Sequence, residues 1–546
     1  MADGFVGMSV TAQAVTPELR TDGRRSGRDV VIVGGGPTGV RAAQALSRRG
    51  IDATVLSAEP IEPYNRVQLT PLLAGDAQIG DIRLPAEFPG PGRVDVLTGV
   101  RAVTIRPEAQ QIVTADGGVI PYHALVLATG SRPHVPAIPG ADRDGVFVFR
   151  SIQDVSALIA RSLTARRVVV IGGGLLGLEA ARGMRRRGAE TVVVEHESRL
   201  MPRQLDQTGG EALAARVRAL GIEVMAGVGV AAIEGDRRVT GVVLQTGERL
   251  AADAVIVCTG VRAETGLAQA AGLKIGRGVV VDSAMRTSDP HIFAAGECAE
   301  HDGVVVGLVG PGLEQAETAA RAIAGETVAH RAGPPVTKLK LVGADVFSVG
   351  PVEQLDAQPS VRSHAWMSDV AYRRIFLQGG RIVGAIGVGA WDEASRVQAA
   401  VTQGMLVYPW MVARFRGRGR IWAETEEDVG ALPATAVVCN CTGVTAGRIR
   451  EAAAAGAGDL AAIRLATGAN TVCGTCAPLV GELLESDAPP EALRFWKPLV
   501  ALSAVGGLAA LITGTAPPAP IPDLYTVDGP TFFERLWLDG MWKQWS

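Results

Sequence analysis

Aromatic residues are scarce in this chain, at 4%, and cysteines are scarcer, with six among 546 residues. So few cysteines exclude a disulfide-rich secreted scaffold. A basic excess is also missing: 53 basic residues face 56 acidic ones, for a net charge of −3. A nucleic-acid binder would show the opposite balance. Apolar residues are not lacking. Hydrophobic residues make up 47% and charged residues 20%, which excludes disorder over most of the length. A chain this long buries a core without staples, and at about 150 residues per domain it holds three or four domains. Residues 1–28 contain no apolar run of signal-peptide length. Arg24-Arg25 has the form of a twin-arginine signal, but the run Val30-Val31-Ile32-Val33 ends at once in Gly34-Gly35-Gly36. That pattern reads as a strand and a turn, so residues 1–28 are expected to be a flexible extension.

What the chain has in excess is glycine, 68 residues, against a usual ~7%. Part of the excess lies in two similar units. In the first, the apolar run Val30 to Val33 leads to Gly34-x-Gly36-x-x-Gly39, a helical stretch, the strand Ala53-Thr54-Val55-Leu56, and Glu59. Each glycine has a physical role: a tight turn, close approach to a pyrophosphate, and packing of helix on strand. The helix N-terminus faces the phosphates, and an acid about 20 residues on can take ribose hydroxyls. In the second unit, Val168-Val169-Val170-Ile171 leads to Gly172-x-Gly174-x-x-Gly177, a helix, the strand Thr191-Val192-Val193-Val194, and Glu195. A carboxylate there accepts a free 2′-hydroxyl and repels a 2′-phosphate, which favours NADH over NADPH. Arg199, close by in sequence, is the feature that argues the other way.

Each unit is followed by an apolar strand closing on glycine: Leu125-Val126-Leu127-Ala128-Thr129-Gly130, and Val255-Ile256-Val257-Cys258-Thr259-Gly260. Later comes Ile292-Phe293-Ala294-Ala295-Gly296-Glu297. Over residues 29–330 this constellation resembles the two-dinucleotide-binding flavoprotein family, which holds FAD on the first unit and NAD(P)H on the second. The resemblance implies that Glu297, in place of the Asp of many members, binds the flavin ribityl chain with Gly296, and that Thr129-Gly130 lies against the flavin. Disulfide reductases of this fold carry a redox Cys pair in the stretch that corresponds to residues 63–70. Here that stretch reads Pro63-Tyr64-Asn65-Arg66-Val67-Gln68-Leu69-Thr70 and has no Cys, so a dithiol relay is excluded. Cys258 and Cys298 read as small core residues.

The other four cysteines pair differently. Cys439-x-Cys441 is followed at a distance by Cys473-x-x-Cys476. Two close pairs give four soft ligands, suited to an iron–sulfur cluster or zinc; disulfides are the third reading. Between the pairs, two short helices are expected over 445–455 and 457–466, the first capped by Thr445. Residues 437–485, with Val438-Cys439-Asn440-Cys441-Thr442-Gly443-Val444-Thr445, resemble the bacterioferritin-associated ferredoxin domain. That resemblance implies a [2Fe-2S] cluster on Cys439, Cys441, Cys473 and Cys476.

Three further stretches narrow the family: Leu200-Met201-Pro202-Arg203-Gln204-Leu205-Asp206, Gly296-Glu297-Cys298-Ala299-Glu300-His301 with Gly307-Leu308-Val309, and Thr337-Lys338-Leu339-Lys340-Leu341. They resemble the flavin half of the NADH-dependent assimilatory nitrite reductase large subunit and the electron-transfer subunit of assimilatory nitrate reductase. Tyr64-Asn65-Arg66 matches a Tyr-Asp-Arg of that family, which implies that Arg66 faces the flavin. Nitrite reductase also needs a sirohaem domain, and residues 477–546 contain no Cys. The chain alone is therefore expected not to reduce nitrite. It is expected to pass electrons from NADH through FAD and the cluster to a separate acceptor: a nitrate or nitrite reductase catalytic subunit, or a membrane cytochrome. In this reading no side chain is catalytic in the bond-making sense. A rival reading is an FAD-dependent opine or amine dehydrogenase; the complete second unit with Glu195 argues against it.

The expected fold is α/β: two Rossmann-like dinucleotide-binding domains, a small α+β third domain, and a small helical [2Fe-2S] domain with an apolar C-terminal segment. The expected boundaries are 29–145 with 261–330 for FAD, 146–260 for NAD, 331–430 for the third domain, and 434–487 for the cluster. Residues 490–546 form the apolar tail. Within the third domain, Ile375-Phe376-Leu377, Gly379-Gly380 and Ile382 to Ile386 read as a hairpin; this domain is expected to cover the flavin and to support a homodimer. From Pro498 to Pro522 there is no charged residue. The apolar heart, 499–513, is shorter than the about 20 residues of a spanning helix, and prolines at 517, 518, 520 and 522 would end it. Arg494 and Lys497 precede it, and Trp496, Trp537, Trp542 and Trp545 are half of the eight tryptophans. The tail is thus expected to associate with the cytoplasmic face of a membrane, the alternative being a helix packed on the globular part.

Overall fold

The computed structural model describes residues 29–84, 88, 90–339, 345–423, 432–439, 442–471 and 476–486. The expected extension 1–28, Cys441, Cys473 and the tail 490–546 lie outside the described residues.

Val30–Val33 is fully apolar and buried on both faces, as a central parallel strand must be. It pairs in parallel with Ala53–Ser57 on one side and Ala124–Leu127 on the other. Val94–Thr98 and Ile292–Ala294 complete a five-stranded sheet. Numbered along the chain the order is 3-2-1-4-5, that of a doubly wound dinucleotide fold. The second unit repeats the first four of these, and its remaining edge strand comes from earlier in the chain. Arg167–Ile171 lies between Glu190–Glu195 and Ala254–Val257, with Ile222–Ala226 and Val146–Val148 at the edges. Each unit also carries a three-stranded antiparallel meander before its fourth strand.

The chain crosses from one unit to the other twice, and the crossings meet. Ser131–Pro133 pairs antiparallel with Val261–Ala263. The Thr129 hydroxyl donates to the Glu264 carbonyl at 2.8 Å, and the Thr259 hydroxyl to the His134 carbonyl at 2.6 Å. Thr129-Gly130 and Thr259-Gly260 therefore do the same work in the two halves: each turns the chain off a buried strand and ties it to the opposite crossing.

The third domain is a five-stranded antiparallel sheet in the order 336–339, 346–349, 381–388, 371–378, 361–368. The hairpin is present: Gln378 faces Arg381, and Gly379 and Gly380 both have positive φ, at 57° and 77°, as a two-residue primed turn requires. One face is seated on the second unit. Asp206 caps the helix Gln207–Ala219 by accepting the Gly209 N–H at 2.8 Å. The same carboxylate accepts the Tyr372 hydroxyl and pairs with Arg374 at 2.7 Å. Tyr372 is buried, and desolvation together with that carboxylate holds its phenol protonated.

The described residues between 432 and 486 form a small module. Val437–Cys439 pairs with Val444–Thr445, and three helices come after it, Ala446–Ala454, Leu460–Thr467 and Ala477–Ser486. Thr445 caps the first helix as expected, accepting the Arg448 N–H. The second begins at Leu460, not 457. Asp459 is its cap, accepting the Ala462 N–H at 2.7 Å, and Gly456 at φ 104° turns the chain ahead of it.

Tyr372→Phe leaves one lobe of the buried Asp206 carboxylate without its hydroxyl donor. A loss of about 1–2 kcal/mol is expected, seen as a lower urea midpoint at unchanged slope.

Candidate functional site

Both glycine turns are built for a ligand that is all backbone contact. Gly34 and Gly172 have φ of +123° and +112°, open to glycine alone at no cost. A Cβ on Gly39 would overlap the Gly34 carbonyl, and one on Gly177 would overlap that of Gly172. The turns thus close only with glycine at these positions. Gly36 and Gly174, by contrast, have nothing within 4 Å of where a Cβ would stand. They head the helices Pro37–Arg48 and Leu175–Arg186, and neither helix has a side-chain cap. Two uncapped helix N-termini beside open space suit two pyrophosphates.

The expected flavin-facing residues gather around the first turn. Gly296, at φ +85°, packs against Thr38 near the start of the first helix, and its N–H donates to Gln315 Oε1 at 2.8 Å. Glu297 is next, half-buried. It pairs with Arg150 and accepts the Ser131 hydroxyl at 2.7 Å. Gly130 lies against Arg150. Arg66 pairs with Glu59 and donates to the Arg150 carbonyl at 3.0 Å. Tyr64 donates to the same Glu59 at 2.7 Å and accepts the Ile152 N–H at 3.2 Å. Glu59, Arg66, Thr129, Gly130, Gly296 and Glu297 thus belong to one neighbourhood. Arg150 and Ser131 belong to it too, and the sequence alone did not point to them. No motif marks them; only their charge and hydroxyl opposite Glu297 do.

Strand register separates the two acids. Ile171 lies opposite Val194, which puts Glu195 at the end of its strand; Val33 lies opposite Leu56, which puts Ser57 at the matching place. Glu59 stands two residues further on. Glu195 is buried under the second turn, where it accepts the Gly173 N–H at 2.6 Å and the Glu197 N–H at 2.8 Å. Arg199 is turned away from a 2′-phosphate role: it donates to the Leu205 carbonyl at 2.9 Å and the Pro202 carbonyl at 3.1 Å. Gly260, at φ +105°, has open space beside it.

A further acid meets the segment where disulfide reductases carry their thiols. Glu179, two residues after Gly177, accepts the Thr70 hydroxyl at 2.9 Å. Burial pushes its carboxyl up to about 7, with Thr70 and Arg182 only partly opposing. The sequence signal was an acid on the buried side of a glycine-turn helix. Cys258 and Cys298 are held as inert thiols. Burial pushes Cys258 up to about 12 and raises Cys298, whose sulfur donates to two backbone carbonyls at 3.3 Å.

In the small module Cys439 and Cys476 are both buried although far apart in sequence. The Cys439 thiol is drawn down to about 6, first by a hydrogen bond from Cys476, then against desolvation by the Thr442 side chain and by the Asn470 and Thr442 N–H groups. Such a pocket stabilises thiolate and fits a metal–sulfur centre. Among the described residues no three metal-binding side chains converge; Cys441 and Cys473 lie outside them.

The model for pyridine nucleotide-disulphide oxidoreductases matches residues 28–323. The chain belongs to that family. The rubredoxin NAD+ reductase C-terminal domain matches residues 335–405, and the BFD-like [2Fe-2S] binding domain matches 437–486. Nitrite reductase [NAD(P)H] of Bacillus subtilis is 34% identical over 84% of this chain and 57% of its own length. The assimilatory nitrate reductase electron transfer subunit of the same organism is 32% identical over 83% and 59%. The chain therefore spans little more than half of these relatives. A ferredoxin reductase structure from Rhodopseudomonas palustris superposes with a TM-score of 0.64 at 28% identity, covering 70% of this chain and 97% of that one. The chain is an NAD(P)H-dependent FAD oxidoreductase by family, with a [2Fe-2S]-binding domain attached.

Two outcomes are expected. Gly39→Val should yield protein without the yellow flavin absorbance, whereas Gly177→Val should keep the flavin but no longer be bleached by NADH. Glu179 supplies a pH dependence. The folded chain keeps this proton up to pH about 7, and the unfolded chain releases it near 4.5. The group's contribution is full below the lower value and is lost as pH rises through the upper one. Glu179→Gln should flatten that fall in a denaturation series from pH 4.5 to 7.5.

Proposed function

We propose that this chain is an NADH-dependent electron-transfer reductase that supplies a separate acceptor, in nitrate or nitrite assimilation. The observation that carries the reading is a paired one. The segment that would hold a redox dithiol offers Thr70 to Glu179 instead, and a thiolate-stabilising pocket stands in the same chain. Bound at these places, FAD would supply an acceptor for the hydride of NADH and a donor of single electrons, and a [2Fe-2S] centre would supply a one-electron acceptor.

The residues of the chain supply binding and orientation. Gly34, Gly36 and Gly39 seat the flavin dinucleotide, with Gly296-Glu297 and Thr129-Gly130 beside it. Gly172, Gly174, Gly177 and Gly260 seat the nicotinamide dinucleotide. Glu195, fixed by two N–H donors, presents a carboxylate to the ribose, and Arg199 is spent on backbone carbonyls; both favour NADH. Cys439, Cys441, Cys473 and Cys476 are the proposed cluster ligands.

The acceptor is proposed from the relatives' names as a nitrate or nitrite reductase catalytic subunit. A cytoplasmic setting suits it, since reducing conditions keep cluster thiols free. Among the described residues no helix is long and apolar enough to cross a membrane; residues 498–522 lie outside them. Membrane association and a membrane cytochrome as acceptor rest on the sequence of that stretch alone.

Anaerobic NADH titration should bleach the flavin and raise the paramagnetic signal of a reduced [2Fe-2S] cluster. Cys473→Ser should keep the bleaching and lose the signal; bleaching without any signal in the unaltered protein would sink the relay. Glu195→Ala should lower the ratio of kcat/KM for NADH to that for NADPH by about tenfold, through loss of the carboxylate's repulsion of phosphate.

A further inference from the structure

The small cysteine module touches the flavin domain through a half-buried hydrogen bond and a neighbouring charge. Asn65 is almost fully buried at 2% exposure. Its Nδ2 donates to the Thr471 carbonyl at 2.7 Å, and its Oδ1 accepts the Val67 N–H at 3.0 Å. One side chain therefore starts the short turn that carries Arg66 and also holds the backbone two residues ahead of Cys473. An aspartate, as in the family pattern Tyr-Asp-Arg, would have no N–H to give Thr471.

The second contact comes from the helix of the first glycine turn. Arg41 lies one turn in from Gly36. Its Nη1 stands 3.8 Å from where a Cβ on Gly468 would be, at the end of the helix Leu460–Thr467. The guanidinium lies within electrostatic range of Cys439 and Arg448, and Glu317 at 3.6 Å balances it from the flavin domain. Its Nε is buried without a hydrogen-bond partner. A cation of the dinucleotide helix thus faces the end of a module helix, within electrostatic range of a proposed cluster thiolate. Reduction adds negative charge to such a centre, and a nearby cation favours that state.

We propose that Asn65 and Arg41 form the seam at which the flavin domain seats the cluster module, that electrons pass within the chain across this seam, and that Arg41 raises the cluster's reduction potential. This rests on the relay reading proposed for the chain as a whole. The electrons balance: NADH gives two as hydride. They leave the reduced flavin singly, each converting one ferric iron to ferrous. A one-electron acceptor takes each in turn, and the flavin's protons go to water. Asn65 and Arg41 are positioning residues in this scheme.

The test uses the full-length protein with flavin and cluster bound. Asn65→Asp keeps the acceptor for Val67 and sets an oxygen against the Thr471 carbonyl. After rapid anaerobic mixing with NADH, flavin bleaching should keep its rate while cluster reduction slows about tenfold, the cost of one hydrogen bond. Amide exchange over residues 442–471 should quicken. Arg41→Gln should lower the cluster midpoint in a redox titration, and Arg41→Lys should restore it. Unchanged exchange and transfer in Asn65→Asp, with an unmoved midpoint in Arg41→Gln, would overturn the seam. Should Asn65→Asp fail to keep its cofactors, the Arg41 pair decides alone. Absence of cluster reduction in the unaltered protein strikes the relay reading instead; exchange and midpoint still decide the seam.

Discussion

The helices Pro37–Arg48 and Leu175–Arg186 both begin on a glycine with no side chain to receive their first N–H groups. A helix start normally leaves four such donors to be satisfied, and the aligned peptide dipoles add partial positive charge there. In this chain the donors are left for a ligand. The surrounding features keep that end clear. The third glycine of each turn lets the helix press onto the carbonyl of the first, so the turn cannot open. Glu195 ends its strand beneath the second turn, where it takes the Gly173 N–H and leaves the helix start free, and Glu59 stands two residues past the matching place in the first unit. The buried fourth strand ends in Thr-Gly, which bends the chain away before a side chain can enter. Remove the requirement for an anion at the helix start and none of the three has a reason.

Two such units in one chain must also be held so that their ligands meet. The antiparallel crossing at Ser131–Pro133 and Val261–Ala263 does this with main-chain bonds, and the two threonine hydroxyls lock it from each side. Arg150 then joins the residues gathered beside the first turn. It enters just before the helix of residues 152–162, pairs with Glu297, and offers its own carbonyl to Arg66. The acid expected to bind ribityl hydroxyls is thus part of an ion pair that orients it.

The two dinucleotide sheets were legible because buried parallel strands read as unbroken apolar runs and glycine turns carry exact spacing. The hairpin at Gly379-Gly380 was legible because a primed turn has few solutions. The start of the helix Leu460–Thr467 was misplaced because alanine propensity ran on through residue 457, whereas Asp459 and the positive φ of Gly456 decide where the helix begins. The offset between Glu59 and Glu195 is legible in the spacing: Gly177 follows Gly39 by 138 residues, and 138 residues before Glu195 stands Ser57, not Glu59. Strand register agrees, with Val33 opposite Leu56 and Ile171 opposite Val194. Contacts between distant segments, such as Arg150 with Glu297 or Thr70 with Glu179, leave no periodic trace at all.

Residues 63–70 use the place of a dithiol to tie three parts of the chain together. Tyr64 bridges Glu59 to the Ile152 N–H, Asn65 holds Thr471, Arg66 ties Glu59 to the Arg150 carbonyl, and Thr70 meets Glu179. This one segment touches the flavin neighbourhood, the nicotinamide unit and the cysteine module. A redox cysteine pair there would need free movement of its sulfurs toward the flavin and access for a disulfide substrate. A segment whose side chains are committed to three neighbours cannot supply either. Its rigidity suits the opposite task. Single electrons leaving a flavin need no bond to form, only a short path and a fixed geometry. In the proposed relay, a buried asparagine next to Arg66 would provide that by tying the cysteine module to this segment.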